Sequence, residues 1–350
     1  MDFIVAFMLL SGFFVAWNTG ANDAANCIGV PVGANILRFR NAVILMAVFV
    51  VAGALLQGHR VMDTMGSGIL ITNSSAFELY HGVPPSEQAA AELDYWFPTG
   101  QVSDLATAVA LLAAGVSVFL ATKFGLPLST SQSIVAAVAG AGVAIVGFQP
   151  ELFRVSILVR IVGSWIISPF LTMATAYFLY MGLLRLTKQV RQSLQWEQVL
   201  VYLVIASSGY FAFSMGSNAF GAGLGPMVAK FPEMRTVIAI ASGITLAFGA
   251  FIFGRRVTQA VGSGITTLDY PGALAAQMAA GIGLQVFARF GVPVSSSQAI
   301  VGAVVGVGLV KGIGMVNVRQ LKRIFASWFL TPLFAGVLAA VLYWTLSAFV

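Results

Sequence analysis

Gly20-Ala21-Asn22-Asp23-Ala24-Ala25-Asn26 and Gly216-Ser217-Asn218-Ala219 open two segments of this chain that align without a gap at an offset of 196 residues. Along them Asn22 matches Asn218, Gly29 matches Gly225, and Gly58-His59-Arg60-Val61 matches Gly254-Arg255-Arg256-Val257. Gly66-Ser67-Gly68-Ile69 then matches Gly262-Ser263-Gly264-Ile265. A second pair of motifs follows at an offset of 166: Gly125-Leu126-Pro127-Leu128-Ser129-Thr130-Ser131-Gln132 and Gly291-Val292-Pro293-Val294-Ser295-Ser296-Ser297-Gln298. A third pair is Ser164-Trp165-Ile166-Ile167-Ser168-Pro169 and Ser327-Trp328-Phe329-Leu330-Thr331-Pro332. Apolar helices resemble one another by chance, but not through polar, Gly and Pro residues in one order. The chain is an internal duplication, and its first half carries about 30 extra residues near 73–102.

The duplicated unit belongs in a membrane. Of 350 residues 59% are hydrophobic and only 9% charged, against about 25% charged in soluble domains. Runs such as 41–57, 106–122, 155–184 and 236–253 approach or exceed the ~20 apolar residues that span a bilayer as a helix. The basic residues behind the net charge of +6 sit singly or in small groups between these runs. They therefore read as membrane topology and not as a nucleic-acid surface. The single cysteine, Cys27, excludes an internal disulfide framework, and two histidines, His59 and His81, argue against a histidine-rich metal site. The apolar run from Phe3 has no basic residues before it and reads as the first membrane helix, not a cleaved signal.

The predicted fold is an all-α polytopic membrane protein with two inverted-topology repeats of about five crossings each. The crossings fall roughly at 3–20, 41–58, 103–122, 133–149 and 155–184, then 197–215, 236–253, 272–290, 299–313 and 324–349. Residues 1–184 form the first repeat, 185–196 a basic cytoplasmic linker, and 197–350 the second repeat. With both termini outside, twelve Lys and Arg residues fall inside and six outside, as the positive-inside rule requires. The polar insertion, with Glu78, Glu87, Glu92 and Asp94, also lands outside. An odd number of crossings per half inverts the second half, an architecture of secondary transporters of the cytoplasmic membrane. No G-x-x-x-x-G-K-[ST] motif occurs, so an ion gradient is the expected energy source.

Four segments read as broken or re-entrant at the centre: 18–26, 214–218, 127–132 and 293–298. Irregular backbone at membrane depth persists only inside protein or a water-filled cavity. In the last two, proline and consecutive hydroxyls precede an apolar stretch, the signature of a helix start, where free N–H groups attract anions. Ser129, Thr130, Ser131, Gln132, Ser295, Ser296, Ser297 and Gln298, one set from each half, are candidates to face a tetrahedral anion, with Asn22 and Asn218. Alternatively, these hydroxyls only cap helices or pack them together. Asp23 is an acid beside a membrane span, flanked by Asn22 and Asn26, and burying a charge there is costly unless it has a use. With Asn22, Asn26, Ser217 and Asn218 it suits a hard cation such as Na⁺, or a proton relay.

These motifs resemble the inorganic phosphate transporter (PiT) family. Gly20-Ala21-Asn22-Asp23-Ala24-Ala25-Asn26 is similar to its repeated G-A-N-D-[VA]-A-N signature, and 127–131 and 293–297 are similar to its P-[hydrophobic]-S-T-[ST] hairpins. The resemblance implies an inverted-repeat carrier of phosphate coupled to Na⁺ or H⁺, with no other cofactor. It places the anion on the hairpin hydroxyls and the cations near the asparagine–aspartate segments. The chain departs from the pattern at Ala219 (usually Asp), Ala222 (usually Asn), Gln132 and Gln298 (His in many members) and Gln277 (a family Glu). Each change removes a titratable or cation-binding group. The resemblance thus also allows a sulfate permease, since sulfate does not protonate near neutral pH. The partners expected are the bilayer and the anion, with no nucleic acid; a homo-oligomer is compatible.

A carrier accounts for the repeat, the hydroxyl hairpins and Asp23 together. An anion channel would use the re-entrant segments but has no need of one embedded carboxylate. An enzyme would need a nucleophile–base pair or a metal cluster, and neither occurs at suitable spacing.

Overall fold

The computed structural model describes residues 3–61, 64, 69–189, 194–262 and 264–349. The motif residues Gly66, Ser67, Gly68, Ser263 and the linker residue Arg191 lie outside them, as do the side chains of Ala219 and Ala222. Backbone in a bilayer must satisfy its own hydrogen bonds, and the described part of the chain is helical nearly throughout. The helices are α1 (Phe3–Gly33), α2 (Phe39–Gln57), α3 (Ser74–His81), α4 (Glu87–Trp96), α5 (Asp104–Lys123), α6 (Thr130–Val146) and α7 (Val155–Gln189) in the first half. The second half supplies α8 (Leu194–Lys230), α9 (Arg235–Phe253), α10 (Arg255–Gly262), α11 (Tyr270–Arg289), α12 (Ser296–Lys311) and α13 (Val318–Ser347). Three single turns of 3₁₀ helix lie between them.

Among the described residues eight helices are long and apolar enough to cross a membrane: α1, α2, α5, α7, α8, α9, α11 and α13. The protein is an integral membrane protein. Two of the expected crossings, 133–149 and 299–313, fall on shorter apolar helices. Helices α6 and α12, of 17 and 16 residues, are about 25 Å long, short of a ~30 Å hydrocarbon core. They begin inside the protein, where Ser129 and Ser295 cap them, and each is the second leg of a hairpin whose first leg is α5 or α11.

Glycine lets the two halves interlock. A Cβ on Gly20 would lie 1.8 Å from the Leu246 carbonyl oxygen, and one on Gly216 would lie 2.1 Å from that of Val50. The same holds for Gly53 on Phe213 and Gly249 on Trp17, at 2.0 and 1.8 Å. Each contact recurs with the halves exchanged at the offset of 196. Small residues in membrane helices permit such backbone approach. The larger packing repeats the pattern: α1 with α9 and α8 with α2, α1 with α5 and α8 with α11, α6 with α13 and α12 with α7. Helices α1 and α8 run antiparallel, because Gly12 lies against Met227 while Cys27 lies against Met215.

Two of the segments read as breaks are not breaks. Residues 18–26 lie in the middle of the 31-residue α1, and 214–218 in the 37-residue α8. Their glycines serve helix crossing, and their asparagines bond to other elements instead of fraying their own helix. The hairpin tips at 124–129 and 290–295 are the true interruptions. At each tip a glycine takes the left-handed turn that leaves the preceding helix, Gly125 at φ 68° and Gly291 at φ 69°.

Helices α5 and α11 are buried along most of their length, whereas α7 and α13 face outward. Exposed Ile166, Phe170 and Phe178 on α7, and Phe329, Leu333 and Val337 on α13, form the apolar belt that lipid would cover. The insertion folds as two short helices, α3 and α4, capped by Asn73 and Ser86. The exposed His81 ring packs against Phe77 and contacts the Glu151 carbonyl through Nε2 at 3.0 Å.

Candidate functional site

The two hairpin tips meet near the middle of the molecule and are held by matching bonds. Asn22 on α1 donates through Nδ2 to the Leu126 carbonyl at 2.9 Å and to Thr122 Oγ1 at 3.0 Å. Its Oδ1 accepts from the Leu128 N–H at 3.0 Å. Asn218 on α8 does the same for the other tip: Nδ2 donates to the Val294 carbonyl at 2.7 Å, and Oδ1 accepts from its N–H at 2.9 Å. Tip also binds tip. Ser131 Oγ donates to the Val294 carbonyl at 3.1 Å, and Ser297 Oγ donates to the Leu128 carbonyl. Ser327 and Ser164, from the third repeated motif, reach the Pro127 and Pro293 carbonyls at 3.5 Å each.

The hydroxyl motifs divide their work. Ser129 accepts from the Gln132 N–H at 3.2 Å and Ser295 from the Gln298 N–H at 3.1 Å, so both act as N-caps. Ser131 and Ser297 fasten the tips together. That leaves Thr130, Ser296, Gln132 and Gln298. Thr130 Oγ1 and the Oε1 atoms of both glutamines are buried without a hydrogen-bond partner, a costly state that a bound acceptor would relieve for the Thr130 hydroxyl and a donor or cation would relieve for the two amide oxygens. Replacing Ser129 or Ser295 with Ala is therefore expected to lower stability by about 1 kcal/mol each, read as thermal unfolding in detergent. Removing the Thr130 hydroxyl should reduce anion binding more than either cap variant does.

Asp23 sits beside the tips, fully buried within α1. Asn26 Nδ2 lies 3.2 Å from its Oδ1, and the same amide donates to Ser296 Oγ at 3.1 Å and Ser297 Oγ at 2.9 Å. The hydroxyls of Thr130 and Ser296 also lie beside the carboxylate. Asn26 Oδ1 has no partner. The result is an oxygen-rich pocket of one carboxylate, one free amide oxygen and two hydroxyls, which suits a hard monovalent cation or a proton. No group of three or more His, Cys, Asp or Glu side chains gathers among the described residues.

The structure thus brings Asp23, Asn26, Thr130, Ser131, Ser296 and Ser297 together, with the capped helix starts at Gln132 and Gln298 beside them. Asn22 and Asn218 have their amides engaged on the tips. Ser217 Oγ bonds back to the Ser214 carbonyl at 2.9 Å, away from Asp23. Gln277, noted only as a departure from a motif, proves to be a neighbour: it is fully buried on α11, and its Nε2 donates to the Cys27 carbonyl at 2.7 Å. Thr122, Ser164 and Ser327 were missed; a polar residue on an apolar helix, repeated in the other half for the two serines, was the available signal.

The model of the phosphate transporter family matches residues 19–339, which takes in both asparagine segments and both hairpins. The chain belongs to the phosphate transporter family. Two relatives named "Putative phosphate permease" are similar along almost their full length. That from Chlamydia pneumoniae is 28% identical, with 97% of each chain covered. That from Pyrococcus horikoshii is 26% identical, with 96% of each covered. Among solved structures, one titled "The sodium-dependent phosphate transporter" superposes with a TM-score of 0.80 at 25% identity over 100% of both chains. The helical membrane scaffold of the present chain is that of the phosphate transporter family.

Proposed function

We propose that this protein is a secondary active carrier that moves inorganic phosphate across the cytoplasmic membrane, driven by Na⁺ or H⁺. The observation that carries the reading is the meeting of two hydroxyl-bearing helix starts, one from each half, beside a single buried carboxylate. The N–H groups of a helix's first turn have no partner within the helix and attract anions. Thr130, Ser296, Gln132 and Gln298 supply side-chain donors around them. Asp23, with Asn26 Oδ1, Thr130 and Ser296, holds the cation. A bare carboxylate so close to a dianion would repel it in a water-poor site. A bound cation or proton removes that repulsion, so each ligand raises the other's affinity, and that reciprocity is the coupling.

The repeat-related position lacks a matching cation site: Ala219 and Ala222 on α8 and, through the hairpin offset, Leu111 on α5 stand opposite Asp23, Asn26 and Gln277. One cation site per chain is the expectation. Residues 1–184 and 197–350 are the two repeats that rock against each other, joined by 185–196, with both termini outside. The chemistry requires no catalytic step.

Purified protein in liposomes, given labelled phosphate or sulfate with imposed Na⁺ or pH gradients, tests this directly. Gradient-driven phosphate uptake with trans-stimulation is expected. Uptake of sulfate in its place would assign the carrier to that anion, and flux without trans-stimulation would make it a channel.

A further inference from the structure

A second space, largely apolar but carrying charged side chains, lies apart from the central site. It is a cavity of about 490 Å³ at the end of the molecule that carries α3 and α4. Its walls come from α5, α6 and the last turns of α8, and its rim from the insertion. Three cations line it from three separate segments: Arg154, Lys230 and Arg235. Asp104 meets one of them, Lys230, at 2.9 Å. Arg154 and Arg235 form no ion pair among the described residues, although exposed Glu151 and Glu233 lie nearby in sequence. Arg154 is fixed by its own N–H bonding to the Ile69 carbonyl at 3.0 Å, and its Nε is buried with no partner.

The cavity points at the central site but does not reach it. Val138 in its wall is eight residues along α6 from Thr130, roughly 12 Å. Gly225 is seven residues along α8 from Asn218, roughly 10 Å. Between the two spaces Val15 and Ile134 are fully buried, with Gly223 in the gap they leave. An apolar layer therefore separates a cationic chamber from the hydroxyl-lined tips. The rim residues Thr72, Asn73, Gly100 and Gln101 belong to the insertion, which has the polar composition of an aqueous loop and not of a lipid-facing surface.

We propose that this cavity is a low-affinity capture site for the free oxyanion, held by Arg154 and Arg235, from which the anion passes to the central site when the Val15–Ile134 layer parts. This rests on the carrier reading above. A cleft lined by one sign of charge concentrates the opposite ion and speeds its arrival, and the effect fades as salt screens it.

The test uses Arg154→Gln and Arg235→Gln, singly and together, in reconstituted protein. The KM for phosphate should rise about fivefold at low ionic strength, with maximal uptake unchanged and the difference shrinking at high salt. A direct readout is available because the native Cys27 is buried. An added cysteine at Ala76, in the cavity wall, should react with N-ethylmaleimide more slowly when inorganic phosphate is present. That protection should be lost in the double variant and should persist, without dependence on a cation gradient, with Asp23→Asn. An unchanged KM with unchanged protection in the arginine variants would overturn the capture site. So would protection that follows the phosphatidylglycerol content of the vesicles and not free phosphate. Absence of phosphate uptake by the unaltered protein would instead count against the carrier reading, and the labelling experiment would still decide the cavity.

Discussion

Asp23→Asn is expected to abolish the response of uptake to a cation gradient while leaving anion binding intact. The substitution is nearly isosteric, and the side chain is buried in the middle of a long helix, so the fold has little reason to change. What disappears is the negative charge among Asn26 Oδ1, Thr130 and Ser296. A neutral amide neither holds Na⁺ firmly nor takes up a proton. The coupling between two ligands in one protein is typically 5- to 150-fold in affinity, or about 1–3 kcal/mol. Loss of that factor should appear as phosphate affinity that no longer depends on Na⁺ or on pH, where the unaltered protein shows one of these dependences. Phosphate binding at low cation concentration should strengthen, because the carboxylate that repelled the anion is gone. Equilibrium binding of labelled phosphate across a Na⁺ series and a pH series measures both effects. An Asp23→Asn protein with unchanged cation dependence would move the coupling site elsewhere.

Much of this was legible in the sequence because the signals were duplicated. A single Gly in an apolar run says little, but Gly20 and Gly216 recur at one offset, and their contacts with Leu246 and Val50 recur at the same offset in three dimensions. The serine hairpins were readable for a local reason: Pro127 and Pro293 stop one helix, and Ser129 and Ser295 cap the next. The asparagine segments misled for the converse reason. Polar residues with glycine resemble a frayed helix, yet here both types act over long range, the glycines through backbone contacts and Asn22 and Asn218 through bonds to hairpins far along the chain. No periodicity in α1 records which distant carbonyl an amide will meet. The same limit hid Gln277, whose partner is a backbone oxygen on α1, and the cavity cations, which come from three segments with no shared motif.

Asn22→Ala and Asn218→Ala carry the largest expected cost in stability. Asn22 satisfies the Leu128 N–H and the Leu126 carbonyl, and Asn218 satisfies both backbone groups of Val294. Alanine at 22 strands the Leu128 N–H and the Leu126 carbonyl, and alanine at 218 strands the Val294 N–H and leaves its carbonyl to Ser131 alone, at about 1–3 kcal/mol for each group so stranded. Each single variant should therefore lose roughly 3 kcal/mol and release its own tip, with loss of anion binding. The two losses should not add. Val294 O also accepts from Ser131, and Leu128, whose N–H is held by Asn22, accepts from Ser297. Each tip is thus a support for the other, and freeing one weakens the hold on its partner before the second asparagine is touched. The double variant should fall short of the sum by about 0.5–3 kcal/mol, the range seen for residues in one hydrogen-bonded network. Thermal or denaturant unfolding of the four proteins in the same detergent gives the cycle. Strict additivity would mean that the tips are anchored independently, and then the site could not act as one unit closing on the anion from both halves.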